Sequence, residues 1–273
     1  MKSKPSKLNC VDILGGHPLD GLGAIVVASD SQTDAGVPHR ALRELDGKRE
    51  DVVRCMREMV ARHHASPEQR ARDKQRRDAM KRLGFDAEQG SMKRFPENPS
   101  TRKGNLAEII LAEYVSLAAD LELLVYRLRY NPNVNQSMKG NDVLAFDLDS
   151  DPVRIVVGET KFRATSSKAA VTEIIDGLVR SHKGGIPVSM QFVVDRLFEA
   201  GQEELGQRVL ECAVLFALDN LRVDYVGLLM SDPEGPERVK KHASGPIHRL
   251  AMVSFGINSP DSIVDPCYEG LEE

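Results

Sequence analysis

Apolar residues recur along this chain in two rhythms, one helical and one strand-like, and both are clearest after residue 100. Leu106, Ile109, Ile110, Val115, Leu117 and Ala118 fall at three- and four-residue spacings, which predicts a helix with a broad apolar face. Residues 121–130, rich in Leu, Val and Tyr, then read as a strand that Asn131-Pro132-Asn133 breaks. Two further strands are expected over 142–148 and 153–162, joined by a tight turn at Ser150-Asp151-Pro152. Ala169, Ala170, Ile174, Ile175, Leu178 and Val179 predict a helix beyond Ser166. Residues 187–218 read as mostly helical with a break at Gly201, and 223–230 and 250–255 as strands.

The earlier part is less regular. Residues 22–29 suit a short buried strand, and 41–64 carry a patchy helical period through Leu42, Leu45, Val52, Val53, Met56 and Val60. Ser66-Pro67-Glu68 is an N-cap with proline at the first helical position, opening a charged helix that runs to about Leu83 and stops at Gly84. Residues 86–103, with Gly90, Pro96 and Pro99, read as a linker. The order of elements predicts an α/β (α+β) fold, a mixed β-sheet core flanked by helices. Residues 1–90 form an N-terminal extension, partly helical and basic, and 91–273 the main domain.

Composition narrows the class. A chain of 273 residues, 41% hydrophobic and 29% charged, is ordinary for a globular protein. Apolar runs such as 23–28 and 153–157 are too short to span a bilayer, and the basic start Met1-Lys2-Ser3-Lys4-Pro5 is followed by no signal-like apolar stretch. A cytoplasmic location is expected. Cys10, Cys55, Cys212 and Cys267 form no C-x-x-C pair, which argues against a zinc site or a redox dithiol. His63 and His64 are adjacent, so a helix would aim them apart. The net charge of −4 disfavours unspecific nucleic-acid binding, yet between Ala61 and Lys103 twelve Lys or Arg face six Asp or Glu. Such a segment can attract phosphate locally.

The chemistry is concentrated in the two middle strands. With period two, Ile155, Val157, Glu159 and Lys161 share one face, so an apolar row ends in a carboxylate and an ammonium. Asp142, Leu144 and Phe146 do the same on the preceding strand. A hairpin brings Asp142 and Glu159 to one end, where two close carboxylates call for a divalent cation. Asp142, Glu159 and the Thr160 carbonyl could hold Mg2+ (or Mn2+), with Lys161 orienting water or neutralising charge on a phosphate. The chain has a second acid-x-Lys triplet, Asp46-Gly47-Lys48, but it lies in a helix-like stretch with no strand before it.

Three segments together resemble the core of the PD-(D/E)xK nucleases: Lys103-Gly104-Asn105-Leu106-Ala107-Glu108, Gly140-Asn141-Asp142 and Gly158-Glu159-Thr160-Lys161. More narrowly, Phe95-Pro96-Glu97-Asn98-Pro99-Ser100-Thr101-Arg102-Lys103-Gly104-Asn105 is similar to the nuclease subunit of Hachiman anti-phage defence systems, HamA. The similarity covers residues 90–260. It implies a restriction-endonuclease-like sheet and a metal-dependent deoxyribonuclease. Asp142 and Glu159 would be metal ligands, Lys161 catalytic, and Glu108 an auxiliary acid on the first core helix. It also implies a superfamily-two DNA helicase partner. Asn141 stands where the superfamily name would put proline.

Around this core, Arg163, Ser166, Ser167, Lys168 and Lys139 are candidate contacts to DNA phosphates. Glu113 reads as structural, and the apolar content of 187–230 as core. An alternative keeps the fold without the activity: an inactive module that binds DNA or a helicase. A nuclease from a different context, such as restriction or junction resolution, is a third reading.

Overall fold

A computed structural model of the chain describes residues 8–86 and 93–271. In chain order the elements are α1 (Cys10–Leu14), β1 (Val26–Gln32), β2 (Pro38–Glu44), α2 (Arg49–His64), α3 (Pro67–Arg82) and α4 (Pro99–Ala119). They continue with β3 (Val143–Asp147), β4 (Val153–Phe162), α5 (Lys168–Gly184), α6 (Met190–Glu199) and α7 (Glu203–Ala217). The chain closes with β5 (Leu221–Ser231), α8 (Gly235–His242), β6 (Leu250–Gly256) and α9 (Val264–Tyr268). The six strands form one mixed sheet in the order β1-β2-β6-β5-β4-β3, parallel through β2, β6, β5 and β4 and antiparallel at both edges.

Strand alternation assigns the two faces. Val156, Val226, Leu228, Val253 and Phe255 pack under α1, α2, α4 and α9, whereas Ile155, Val157, Tyr225, Leu229 and Met252 pack under α5, α6, α7 and α8. The result is a helix–sheet–helix sandwich, so the inner strands are apolar on both sides. Among the described residues no helix is long and apolar enough to cross a membrane.

Several local expectations hold. Ser66 caps α3 through a reciprocal pair with Gln69, with Pro67 at the first position. The hairpin of β3 and β4 forms, with Val143 opposite Gly158. A break at Ala200–Gln202 separates α6 from α7.

Others are corrected. Residues 41–44 belong to β2, where Ala41 and Leu42 sit between β1 and β6, and helix α2 begins only at Arg49. Asp46-Gly47-Lys48 therefore comes after a strand and lies in the turn before α2, with Lys48 paired to Asp51 at 3.0 Å. The linker expected over 86–103 includes 87–92, outside the described residues. Phe95 and Pro96 are buried, and Asn98 accepts the N–H groups of Ser100 and Thr101 to start α4 at Pro99. Residues 121–130 form no strand. Only Glu122 bridges to Phe146, and Arg127–Tyr130 is a 3-10 turn. The run is apolar because it crosses the sheet edge: Leu121 and Leu128 enter one core, Leu124 and Val125 pack on the other.

Residues 26–44 supply two of the six strands, and α2 packs on α4 and α9. The segment read as an N-terminal extension therefore shares its sheet and its core with the main domain.

Candidate functional site

The polar cluster forms where the β3–β4 hairpin runs out of apolar residues. Because Val143 pairs with Gly158, Asp142 stands opposite Glu159. Asp142 Oδ2 accepts the Thr160 backbone N–H at 2.8 Å and the Thr160 hydroxyl at 3.0 Å. The side chain thus extends the ladder one step beyond the end of β3. Glu159 Oε1 accepts from Lys161 Nζ at 3.0 Å, as two residues on one strand face can. Burial and the nearby Asp142 charge raise the Glu159 pKa, and Lys161 offsets part of this.

Glu108 reaches the same place from α4. It is 8% exposed, its Oε2 has no hydrogen-bond partner, and Arg127 Nη1 lies 3.8 Å away. Burial first, then the charges of Asp142 and Glu159, push its pKa up to about 8 against the pull of Arg127 and Lys161. The structure therefore brings Glu108, Asp142, Glu159 and Lys161 together.

Two glycines allow this convergence. A Cβ on Gly177 of α5 would meet Glu159 Cδ at 2.6 Å, and one on Gly158 would meet Val143 Cβ at 2.7 Å and Leu111 Cδ2 at 2.8 Å. Helices from both layers thus close on the hairpin. Sequence reading missed Gly177. A glycine in the middle of an otherwise apolar helical period was the available signal.

The loop carrying Asp142 is clamped, and this accounts for Asn141. Its backbone N–H donates to Ser189 Oγ at 2.8 Å and its Nδ2 to Ser181 Oγ at 2.9 Å. Proline would supply neither donor. Arg127 donates to the carbonyls of Asn141 and Met138, holding the loop from the other side. Arg127, Ser181 and Ser189 were also missed, since nothing in their local sequence sets them apart.

The remaining candidates lie differently. Arg163 pairs with Glu173 at 2.7 Å, and Ser167 caps α5 by accepting the Ala170 N–H at 3.2 Å. Ser166 is buried with an unpartnered hydroxyl, while Lys168 and Lys139 are exposed. Glu113 binds Arg62 at 2.6 Å and His63 at 2.7 Å, a structural tie between α4 and α2. His64 turns away, to the Arg94 carbonyl.

Among the described residues no group of three or more His, Cys, Asp or Glu is gathered into a ready metal cage. The donors at the cluster are oxygens, two of the carboxylates carry raised proton affinity, and Glu108 Oε2 is orphaned. Such a set suits a hard divalent cation that retains some of its water.

An α+β sandwich whose mixed sheet ends at a hairpin in facing acids, an adjoining lysine and a third acid from the preceding helix is nuclease-like in fold. Within that class the chain belongs to the HamA family, whose model matches residues 25–271. It is 30% identical over 264 residues to the Hachiman protein HamA of Bacillus cereus, covering 96% of this chain and 94% of that one.

Proposed function

We propose that this chain is a divalent-metal-dependent deoxyribonuclease, the effector of an anti-phage defence complex that also contains a superfamily-two helicase and works in the cytoplasm. One observation carries the chemistry: Glu108, Asp142, Glu159 and Lys161, spread over three elements, meet at the end of one hairpin. The family supports the defence role, through its Hachiman relative.

Asp142, Glu159 and the Thr160 carbonyl would hold Mg2+ or Mn2+. Bound there, the ion supplies charge stabilisation for the phosphate oxygens and acidifies water. Lys161, now 3.0 Å from Glu159, is positioned to exchange that partner for a phosphate oxygen carrying developing charge. Glu108, which in the metal-free chain keeps its proton up to about pH 8, is placed to pass a proton to or from water entering beside Asp142. Lys139 and Lys168, both exposed, can take flanking phosphates, with Arg163, Ser166 and Ser167 bordering the start of α5.

The test is cleavage of plasmid and oligonucleotide DNA with Mg2+, Mn2+ or EDTA, by the chain alone and with the helicase. Glu159→Ala and Lys161→Ala should abolish cutting while circular dichroism stays unchanged. Undiminished cutting by Lys161→Ala rejects the mechanism. The second reading, an inactive binding module, draws on the fact that Thr160 and Lys161 already satisfy the two hairpin carboxylates. It predicts DNA or helicase binding with no cleavage in either setting.

A further inference from the structure

Two cavities meet at Tyr126. The first, about 300 Å3, opens beside Glu108 and Asp142, and its walls include Leu123, Val125, Met138, Val188 and Phe192. Lys139, exposed and outside any ion pair among the described residues, stands at it too. A recess that adjoins two carboxylates, Glu108 and Asp142, and is nevertheless mostly apolar is poorly made for the scissile phosphate itself. It suits a flat, weakly charged group attached to a phosphate, which describes a nucleobase.

The second cavity, about 600 Å3, lies across Tyr126 and is lined by Arg54, Arg57, Arg62, Arg70 and Arg129, with Glu58 as its carboxylate. Arg54 and Arg62 are paired with Asp51 and Glu113. Arg129 stacks over the Tyr126 ring at 4.2 Å. Arg57 and Arg70 make no ion pair among the described residues. With Arg54 and Arg62 already paired, Arg57, Arg70 and Arg129 face the single carboxylate of Glu58, and this surplus of positive charge suits an extended anion.

We propose that the two cavities are one path for single-stranded DNA, with an unstacked base seated in the apolar recess and the backbone of the neighbouring nucleotides lying along the arginine groove. This deepens the nuclease reading above, on which the position of the cut phosphate depends. Tyr126 belongs to both cavities, and its ring stands edge-on to His63 at 4.7 Å with Arg129 over its face. It is a fixed ridge around which a flexible strand can turn. A duplex keeps its bases stacked inside and would have to flip one out to fill the recess. An apolar and aromatic recess joined to a basic groove is the combination by which proteins hold single strands.

The experiment is fluorescence anisotropy of the full chain with a labelled single strand, the matching duplex, and single strands bearing one abasic position scanned along their length. EDTA is present throughout, so nothing is cut. The single strand should bind about tenfold more tightly than the duplex, and one abasic position should weaken binding by about the same factor. Arg57→Glu combined with Arg70→Glu should lower single-strand affinity and flatten its dependence on salt. Neither residue is buried, and thermal melting of this variant serves as the control for folding. Phe192→Ala should remove the abasic penalty.

Equal affinity for strand and duplex, indifference to every abasic position, or full affinity in the double arginine variant overturns the path. That includes the case where the recess receives a side chain from a partner protein. A chain that binds as described but never cuts sinks the nuclease reading alone. One that cuts but ignores abasic positions sinks only the path.

Discussion

Gly177 of α5 lies directly against Glu159: the Cβ it lacks would stand 2.6 Å from the carboxyl carbon. In most helix interiors, replacing glycine by alanine stabilises by about 1 kcal/mol. Here the sign should reverse. Gly177→Ala must displace Glu159 or shift α5, and overpacking of that kind costs about 1–3 kcal/mol. Urea unfolding should show a net loss, and DNA cleavage should fall roughly a hundredfold as the carboxylate leaves its place. A stabilised, fully active Gly177→Ala protein contradicts the close packing.

Glu108 gives the fold a particular response to pH. Its folded pKa of about 8 exceeds the ordinary glutamate value, so the folded state binds a proton more tightly than the unfolded one. Stability from this group is complete below the unfolded pKa, and is lost as pH rises through the folded value. Glu108→Gln should therefore stabilise the metal-free protein above neutrality, on the order of 2 kcal/mol, and little at pH 4. Melting temperatures of both proteins across that range in EDTA measure the difference. The same substitution should impair cleavage, so stability and activity should move in opposite directions.

Asn141→Pro would restore the residue that names the wider superfamily, and it should do harm. It removes the N–H given to Ser189, the amide given to Ser181 and the Oδ1 that accepts the Ser189 N–H. Three lost hydrogen bonds, one of them long, amount to about 1.5–4.5 kcal/mol. Asn141→Ala, which keeps the backbone donor, should lose about two thirds as much. Denaturant midpoints of the two variants decide this, and a proline variant as stable as the parent would show that the clamp is dispensable.

Asp224 lies fully buried among three arginines, with Arg154 at 2.8 Å, Arg222 at 3.0 Å and Arg249 also in contact. Arg154 and Arg222 also donate to the carbonyls of Ile13 and Asp12, fastening α1 to the sheet. Asp224→Asn keeps the shape and leaves those cations uncompensated, which should cost about 3–5 kcal/mol. Hydrogen exchange should open first at α1.

How much of this was legible in the string depends on the range of the interactions. The β3–β4 hairpin could be read because both strands alternate cleanly and a short turn joins them, which fixes Asp142 opposite Glu159. Residues 121–130 misled for a physical reason: Leu121 and Leu128 serve one core while Leu124 and Val125 serve the other. Such a crossing has strand-like composition without a strand's hydrogen bonds. Ala41 and Leu42 looked helical because residues of β2 and α2, which bury against different elements, fall by chance into one period. Arg127 and Gly177 act through partners 14 and 18 positions away, at Asn141 and Glu159; a glycine inside an apolar helical period flags close packing at Gly177, but no local pattern names either partner.

The turn Arg127–Tyr130 is held at two points. Arg127 grips the carbonyls of Met138 and Asn141, while Arg129 grips the carbonyl of Arg62 at the end of α2. The turn thus acts as a strut between a surface helix and the segment bearing Asp142. A displacement of the end of α2 would therefore strain this turn first, two residues of backbone from the grip on the segment that carries Asp142.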